Sequence, residues 1–287
     1  MYDSGSIYSF ILPDFFCTGG GPKSGPAEIL ATAYNPGMCL LALTVINCIL
    51  FSMIHSSSLL KTEEKTTMKN KKIVYCMYYI LMFLPLAVTV ISLLFLPDRI
   101  PAHYGSDNQV TRWGSKYETL IFPAETLICG AIMTAVAKSA AGKERENNEK
   151  AVVIIGMAVL LLFNLMTVYF LCADFRQISN LSDMPVDITG LVFFYLGAVI
   201  ILCGILMPGL KRNSMIGLRT KWSMKNEITW KKSQKFGGIS FVVSGICIIA
   251  AGLLTEGTMC MVWSLGILAA DVIIDIIYTR IAACKYS

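Results

Sequence analysis

Seven long apolar runs, joined by loops that sort Lys and Arg almost entirely to one side, constrain this chain more than any other feature. The runs are 37–57, 73–96, 120–137, 151–172, 188–208, 239–255 and 259–280. Each is roughly 17–24 residues long, which suits a hydrocarbon core of about 30 Å crossed at about 1.5 Å per residue. In lipid every backbone polar group must be satisfied within the protein, so continuous runs of this kind are helices. The expected fold class is therefore all-α: a polytopic transmembrane helical bundle of about seven spans.

The basic residues set its orientation. Loops 58–72, 138–150 and 209–238 and the C-terminal end hold 19 of the 24 Lys and Arg residues. Only Lys23, Arg99, Arg112, Lys116 and Arg176 fall on the opposite side. The positive-inside rule then places the N-terminus outside and the C-terminus in the cytoplasm, which an odd number of spans satisfies. The last two runs are joined only by Glu256–Thr258, so they are expected to form a hairpin with a very short outer turn.

Composition agrees with a bilayer protein: 55% of residues are hydrophobic and the mean hydropathy is +0.63. The net charge of +5 is concentrated on the inner face, where it would attract anionic lipid headgroups. The basic loops are short and lie against the membrane, so direct nucleic-acid binding is not expected. Ten cysteines show no CxxC and no histidine cluster, and most lie in or beside apolar runs, as small packing residues do. Only Cys17, Cys172 and Cys260 fall near the outer face, where a disulfide would form. The start of the chain lacks a basic n-region, and its short apolar piece is broken by Pro13 and Asp14, so it does not read as a clean signal peptide.

Two polar loops stand apart. The outer one, Leu96–Lys116, reads LPDRIPAHYGSDNQVTRWGSK. Pro97 and Pro101 stop a helix. Gly105, Asn108 and Gly114 permit tight turns, and Asn tolerates positive φ better than most residues. Arg99, Tyr104, Arg112 and Trp113 suit the headgroup level. The plain reading is an interfacial loop folded over the helix ends, with a defined structure. The inner one, Ile216–Gly238, reads IGLRTKWSMKNEITWKKSQKFGG. Ser223 is a candidate N-cap for a helix over 224–236. The plain reading is an amphipathic helix lying in the membrane plane, anchored by Trp222, Trp230 and Phe236. Arg219 is expected to hold Glu227 in a two-pronged contact. Arg219, Asn226, Glu227 and Trp230 would then form one polar network, with Gly237–Gly238 turning the chain into the sixth span.

These two loops also carry a resemblance. The string LPDRIPAHYG…TRWGSK resembles the signature loop of a domain of unknown function common in Gram-positive membrane proteins. The string IGLRT.W…NE..W……FGG resembles the hallmark of the SdpI family, which often shares a chain with it. The outer motif is matched by Pro97, Arg99, Pro101, His103, Arg112, Trp113, Gly114, Ser115 and Lys116. The inner one is matched by Arg219, Thr220, Trp222, Asn226, Glu227, Trp230, Gly237 and Gly238. This chain departs from the patterns at four places. Lys221 stands where proline is usual, Gln234 where histidine is usual, Thr111 for a common aspartate and Asn108 for a common glycine. The Gln234 change speaks against an obligate proton or metal role there. The resemblance implies a non-enzymatic bacterial plasma-membrane protein giving immunity to, or sensing, a membrane-active toxin peptide. It also implies a cytoplasmic repressor as a partner, besides the lipid bilayer itself.

The resulting layout has five parts. Residues 1–36 form an extracytoplasmic segment, and 37–72 a first span with its basic loop. Residues 73–137 form a membrane module bearing the outer loop 96–116. Residues 138–187 hold a basic loop, the fourth span and an outer loop, and 188–287 form the SdpI-like module with its motif at 216–238.

Charged side chains inside spans are costly and often functional. Asp271 and Asp275 share one face of the last run, and Glu125 sits in the outer half of the third. They support an alternative reading, a proton- or ion-coupled small-molecule transporter. The competing reading is interhelical glue, with each acid paired to a polar neighbour. An intramembrane enzyme is a further alternative. There are two histidines, His55 and His103, and neither HExxH nor GxSxG occurs. His103 and Asp107 lack a third ligand for zinc, so no metal, cofactor or catalytic residue is expected.

Overall fold

The computed structural model describes residues 67–140 and 146–286. The expected first span at 37–57, the segment 1–36 and most of loop 58–72 lie outside the described residues. Within them the chain forms α1 (Thr67–Ser92), β1 (Arg99–Tyr104), β2 (Val110–Ser115), α2 (Ile121–Ala140) and α3 (Glu146–Arg176). It continues as α4 (Ile188–Leu206), α5 (Glu227–Leu254) and α6 (Gly257–Lys285). All six helices are long and apolar enough to cross a membrane. The helical bundle is as expected, with one addition, the small antiparallel hairpin β1–β2 on the outer side.

Why each helix begins where it does is legible in side chains. Asp187 caps α4 by accepting from the Thr189 and Gly190 amides. Asn226 caps α5 by accepting from the Thr229 amide at 2.8 Å. The turn between α5 and α6 is as short as expected: Gly257, at φ 53°, opens α6 two residues after the Thr255 cap.

The helices form two groups. Helices α1, α2 and α3 pack together, as do α4, α5 and α6, with α3 and α4 in contact between them. Helix α3 is the centre: 67% of its most apolar window is buried, against 22–28% for each of the other five spans. Its Leu160, Leu161 and Leu165 meet Tyr78 and Leu81 of α1, Ala137 of α2 and Tyr195 of α4. Polar atoms in this core are satisfied across helices. The Tyr78 hydroxyl donates to the Gly130 carbonyl at 2.8 Å, Tyr195 to Ala158 at 2.7 Å, and the Asn164 amide to Leu81 at 2.8 Å. The outward faces carry exposed Ile80, Phe83, Ile132, Ile246, Val262 and Ile273. An apolar belt of that extent fits acyl chains.

Helices α4 and α5 meet most closely, along glycines. Gly197 faces Gly245 and Gly204 faces Gly238, near enough that an added Cβ would lie 2.6–2.7 Å from the opposite carbonyl oxygen. Gly190 and Gly252 continue the line at a looser spacing. Three glycines seven residues apart on each helix thus build one seam, of the small-residue kind that lets membrane helices touch backbone to backbone.

Candidate functional site

The outer loop is a braced hairpin. Arg99 pairs with Ser115, Ile100 with Gly114, and Pro101 with Trp113, after which the register is broken by irregularities around His103. Asn108 makes the turn at φ 62°. Gly114 has no room for a side chain, because a Cβ there would collide with Glu118 and come within 2.6 Å of the Ala102 Cβ. Two exposed ion pairs tie the hairpin base. Arg112 donates to both Glu118 oxygens at 3.0 and 2.7 Å, and Lys116 lies 3.0 Å from Asp98. Ser115 and Glu118 also form a capping box on the short turn leading to α2. His103 Nδ1 lies 2.6 Å from Thr111 Oγ1, a local loop contact. Trp113, Pro97 and Arg99 are all exposed, as headgroup-level residues are.

The hairpin leans on the loop that follows α3. Leu181 donates to the Asn108 carbonyl and Val110 to the Ser179 carbonyl, each at 2.9 Å. The Tyr104 hydroxyl donates to the Ile178 carbonyl at 2.9 Å. Burial, and secondly the nearby charge of Asp174, push the Tyr104 phenol up from its ordinary pKa, so it stays a donor. Beneath the hairpin is a cavity of about 450 Å³, walled by β1, the start of α2 and the outer end of α3. Phe122 and Phe170 stack in its wall with centroids 5.0 Å apart. Asp174 lines it and is only 4% exposed. The sequence reading missed Asp174; a lone acid near the end of an apolar run was the available signal.

The inner motif is built differently, and several expectations are corrected here. Residues 224–236 do not form a separate in-plane helix. Helix α5 starts at Glu227 behind the Asn226 cap and runs unbroken through Gly237–Gly238, which face Met207, Pro208 and Gly204 instead of turning the chain. Ser223 does not cap it. Its hydroxyl donates to the Leu218 carbonyl at 2.7 Å and its amide donates to Thr220 Oγ1 at 3.0 Å. Trp230 is no interfacial anchor: it is fully buried, and its indole donates to the Leu210 carbonyl at 2.8 Å. Glu227 pairs at 2.9 Å with Arg212, not with Arg219, which is exposed. Arg212 reaches Glu227 because it also donates to the Met224 carbonyl at 3.3 Å, beside the start of α5.

Residues 210–223 lie over the inner ends of α3, α5 and α6 as a strap held at many points. Asn148 of α3 exchanges two bonds with the Lys211 backbone, at 3.1 and 2.9 Å. Gln234 does the same to Leu218, at 3.0 Å each way, next to Gly217 at φ 94°. Gln234 therefore has a structural task that an amide performs well, accepting and donating at once. Thr220 joins Thr279 of α6 at 3.0 Å, and the Asn226 amide donates to the Tyr286 carbonyl at 3.0 Å. Lys221 stacks its ammonium 5.0 Å from the half-buried Trp222 ring.

Below the strap, Asp271 and Asp275 both face the bundle, at 3% and 1% exposure. Asp271 accepts from Ser244 at 2.8 Å and from Ser240. The expectation of a partner for each acid fails at Asp275, where neither oxygen has one among the described residues. Facing it is Gly237, where an added Cβ would lie 3.2 Å from Asp275 Oδ2 and 2.8 Å from the Met207 methyl. Glu125 is exposed on α2 and does not join the other two acids. Among the described residues no three His, Cys, Asp or Glu side chains gather as metal ligands do.

With this geometry in view, comparison with known proteins gives the following. Residues 209–279 match the SdpI/YfhL protein family, and residues 80–127 match a domain of unknown function, DUF1648. The first segment contains the strap and both buried acids, and the second contains the hairpin. The Immunity protein SdpI of Bacillus subtilis (strain 168) is 23% identical over 194 residues, covering 68% of this chain and 88% of that protein. No solved structure matches. Residues 209–279 are thus similar to the SdpI family and residues 80–127 to the domain of unknown function, in a multi-pass protein of the bacterial plasma membrane.

Proposed function

We propose, taking the SdpI-family module as the premise, that this protein confers immunity to a membrane-active peptide, engaging it on the outer face. The observation that carries this reading is the braced hairpin over an aromatic-walled cavity at the ends of the spans α2 and α3, and amphipathic peptides lie at the membrane interface. His103 is engaged locally with Thr111, and the reading invokes no chemical step. The inner strap is the part that a cytoplasmic partner such as a repressor would meet. Its exposed Arg219, Lys221 and Lys225 give that face its charge. The test is expression in a sensitive host challenged with a panel of membrane-active peptides. Protection against at least one peptide, lost when the hairpin 99–115 is replaced by a Gly-Ser linker in a stably inserted protein, is the expected result. Unchanged survival across the panel overturns the reading.

One observation favours a second reading, ion-coupled transport: the unpartnered Asp275 beside Asp271. Proton flux in liposomes containing the protein, abolished in Asp275→Asn, would support transport. Absence of flux returns the acid pair to helix packing.

A further inference from the structure

We propose that the cavity beneath the outer hairpin is a binding site for an ammonium group carried on an apolar body, and that its occupant is a lysine side chain of an extracytoplasmic peptide. The proposal rests on the immunity reading for the identity of the peptide. The chemistry of the pocket is argued from the pocket alone.

The argument begins with charge. Among the described residues two acids line the cavity, Glu118 and Asp174, and no Lys or Arg does. Glu118 is committed: it accepts two bonds from Arg112 and one from the Ser115 amide. Asp174 is not. The polar groups around it donate elsewhere: Tyr104 to the Ile178 carbonyl, Thr167 to the Phe163 carbonyl, and Gln177 to the backbone carbonyl of Asp174 and not to its carboxylate. No hydrogen bond or ion pair to that carboxylate is found among the described residues. A buried carboxylate is held at a cost unless a cation or donors compensate it. Here the fold spends Tyr104, Thr167 and Gln177 on bracing and leaves the acid for something else.

The walls say what that is. Phe122 and Phe170 stack face to face, and Tyr104 lies 6.3 Å from Phe170. Aromatic faces attract cations, more so when water is excluded. They also give a hydrocarbon chain an apolar lining. A cavity of about 450 Å³ holds far more than an ammonium ion and lies in the range of small-ligand pockets. A bare metal ion is a poor fit, because a single carboxylate among aromatic rings offers too few oxygens. An ammonium with four or more carbons attached satisfies both the acid and the rings. Lysine is the residue with that form, and amphipathic membrane peptides are rich in it.

The test uses the full chain in lipid nanodiscs, with empty nanodiscs as the blank for bilayer partition. The probes are phenethylammonium, its neutral isostere 2-phenylethanol, and the anion 3-phenylpropanoate, followed by saturation-transfer NMR. The wild-type protein is expected to bind the ammonium at least tenfold tighter than the alcohol, and the anion weakest. Asp174→Asn should bring ammonium and alcohol to equal affinity. Ile188→Trp, which fills the cavity from its half-exposed edge, should weaken both. If ammonium and alcohol bind equally to wild type, the site is a plain apolar hole and the proposal falls. It also falls if the preference persists in Asp174→Asn. The wild-type comparison decides the matter even if a variant misfolds. The host-protection assay separates the two readings: a cation preference together with full protection by Asp174→Asn leaves this site standing and removes it from immunity. Protection without any cation preference does the reverse.

Discussion

The outer hairpin and the inner strap are both polar crossings between spans, yet they are secured in opposite ways. The hairpin is held by exposed ion pairs and by backbone bonds to a neighbouring loop, and it encloses a cavity. The strap is held by buried side chains: Asn148, Trp230 and Gln234 reach its backbone from α3 and α5, and Thr279 of α6 meets the Thr220 hydroxyl. Exposed pairs are weak and screened by salt, whereas buried bonds to backbone are costly to lose. The outer face is therefore the more yielding of the two, and the inner face is built to keep one shape.

The largest expected effect tests the strap. Trp230→Ala removes a fully buried indole and strands the Leu210 carbonyl, for a loss of about 3–5 kcal/mol. Trp113→Ala on the hairpin, where the ring is 40% exposed, should cost far less. Denaturant titration of the detergent-solubilised variants measures both, and equal losses would break the comparison. Next, Gln234→Leu frees Leu218 at two points, at about 2 kcal/mol. Its signature is faster hydrogen exchange in 210–223, with the hairpin unaffected. A strap that stays protected would mean that Trp230 alone holds it.

A smaller effect has opposite signs at neighbouring positions. Asp275→Leu removes a buried acid that has no partner and should raise stability by about 1 kcal/mol. Asp271→Leu strands the Ser240 and Ser244 hydroxyls and should lower it. If both variants are destabilised, Asp275 has a compensating partner in the membrane. The smallest effect is Arg112→Ala. Glu118 holds the Arg112 guanidinium above its already high ordinary pKa, yet the pair is open to water. The expected change in the thermal midpoint is slight at low salt and vanishes at high salt. A large, salt-independent loss would show that the hairpin is as rigid as the strap.

Much of this fold was legible as hydropathy. The six described spans lie where the apolar runs do, because lipid demands such runs whatever the tertiary contacts. Their ends were less so. Helix α5 begins at Glu227, twelve residues before its apolar run at 239, since a helix does not stop where the membrane does. The hairpin was hidden because strand pairing joins Arg99 to Ser115 across a distance that no local periodicity reports. Trp230 looked interfacial because tryptophan usually is. Only the return of Leu210 above it makes it core. Asp174 escaped notice for a similar reason: its surroundings come from a hairpin sixty residues upstream. The glycines of α4 and α5 stood at intervals of seven in the sequence, and that regularity was the readable sign of the seam.

That seam sets how movement can pass through the molecule. Where two helices touch at Gly197 and Gly245, and again at Gly204 and Gly238, there is no side-chain layer to rearrange between them. Any sliding or tilting of one relative to the other must drive backbone into backbone. The pair therefore moves as a single beam. Its outer end starts at Ile188, on the cavity edge, and its inner end holds Gln234 and Trp230, which clamp the strap. A tilt imposed at one surface arrives at the other undamped, as with a lever that has no joint along its length.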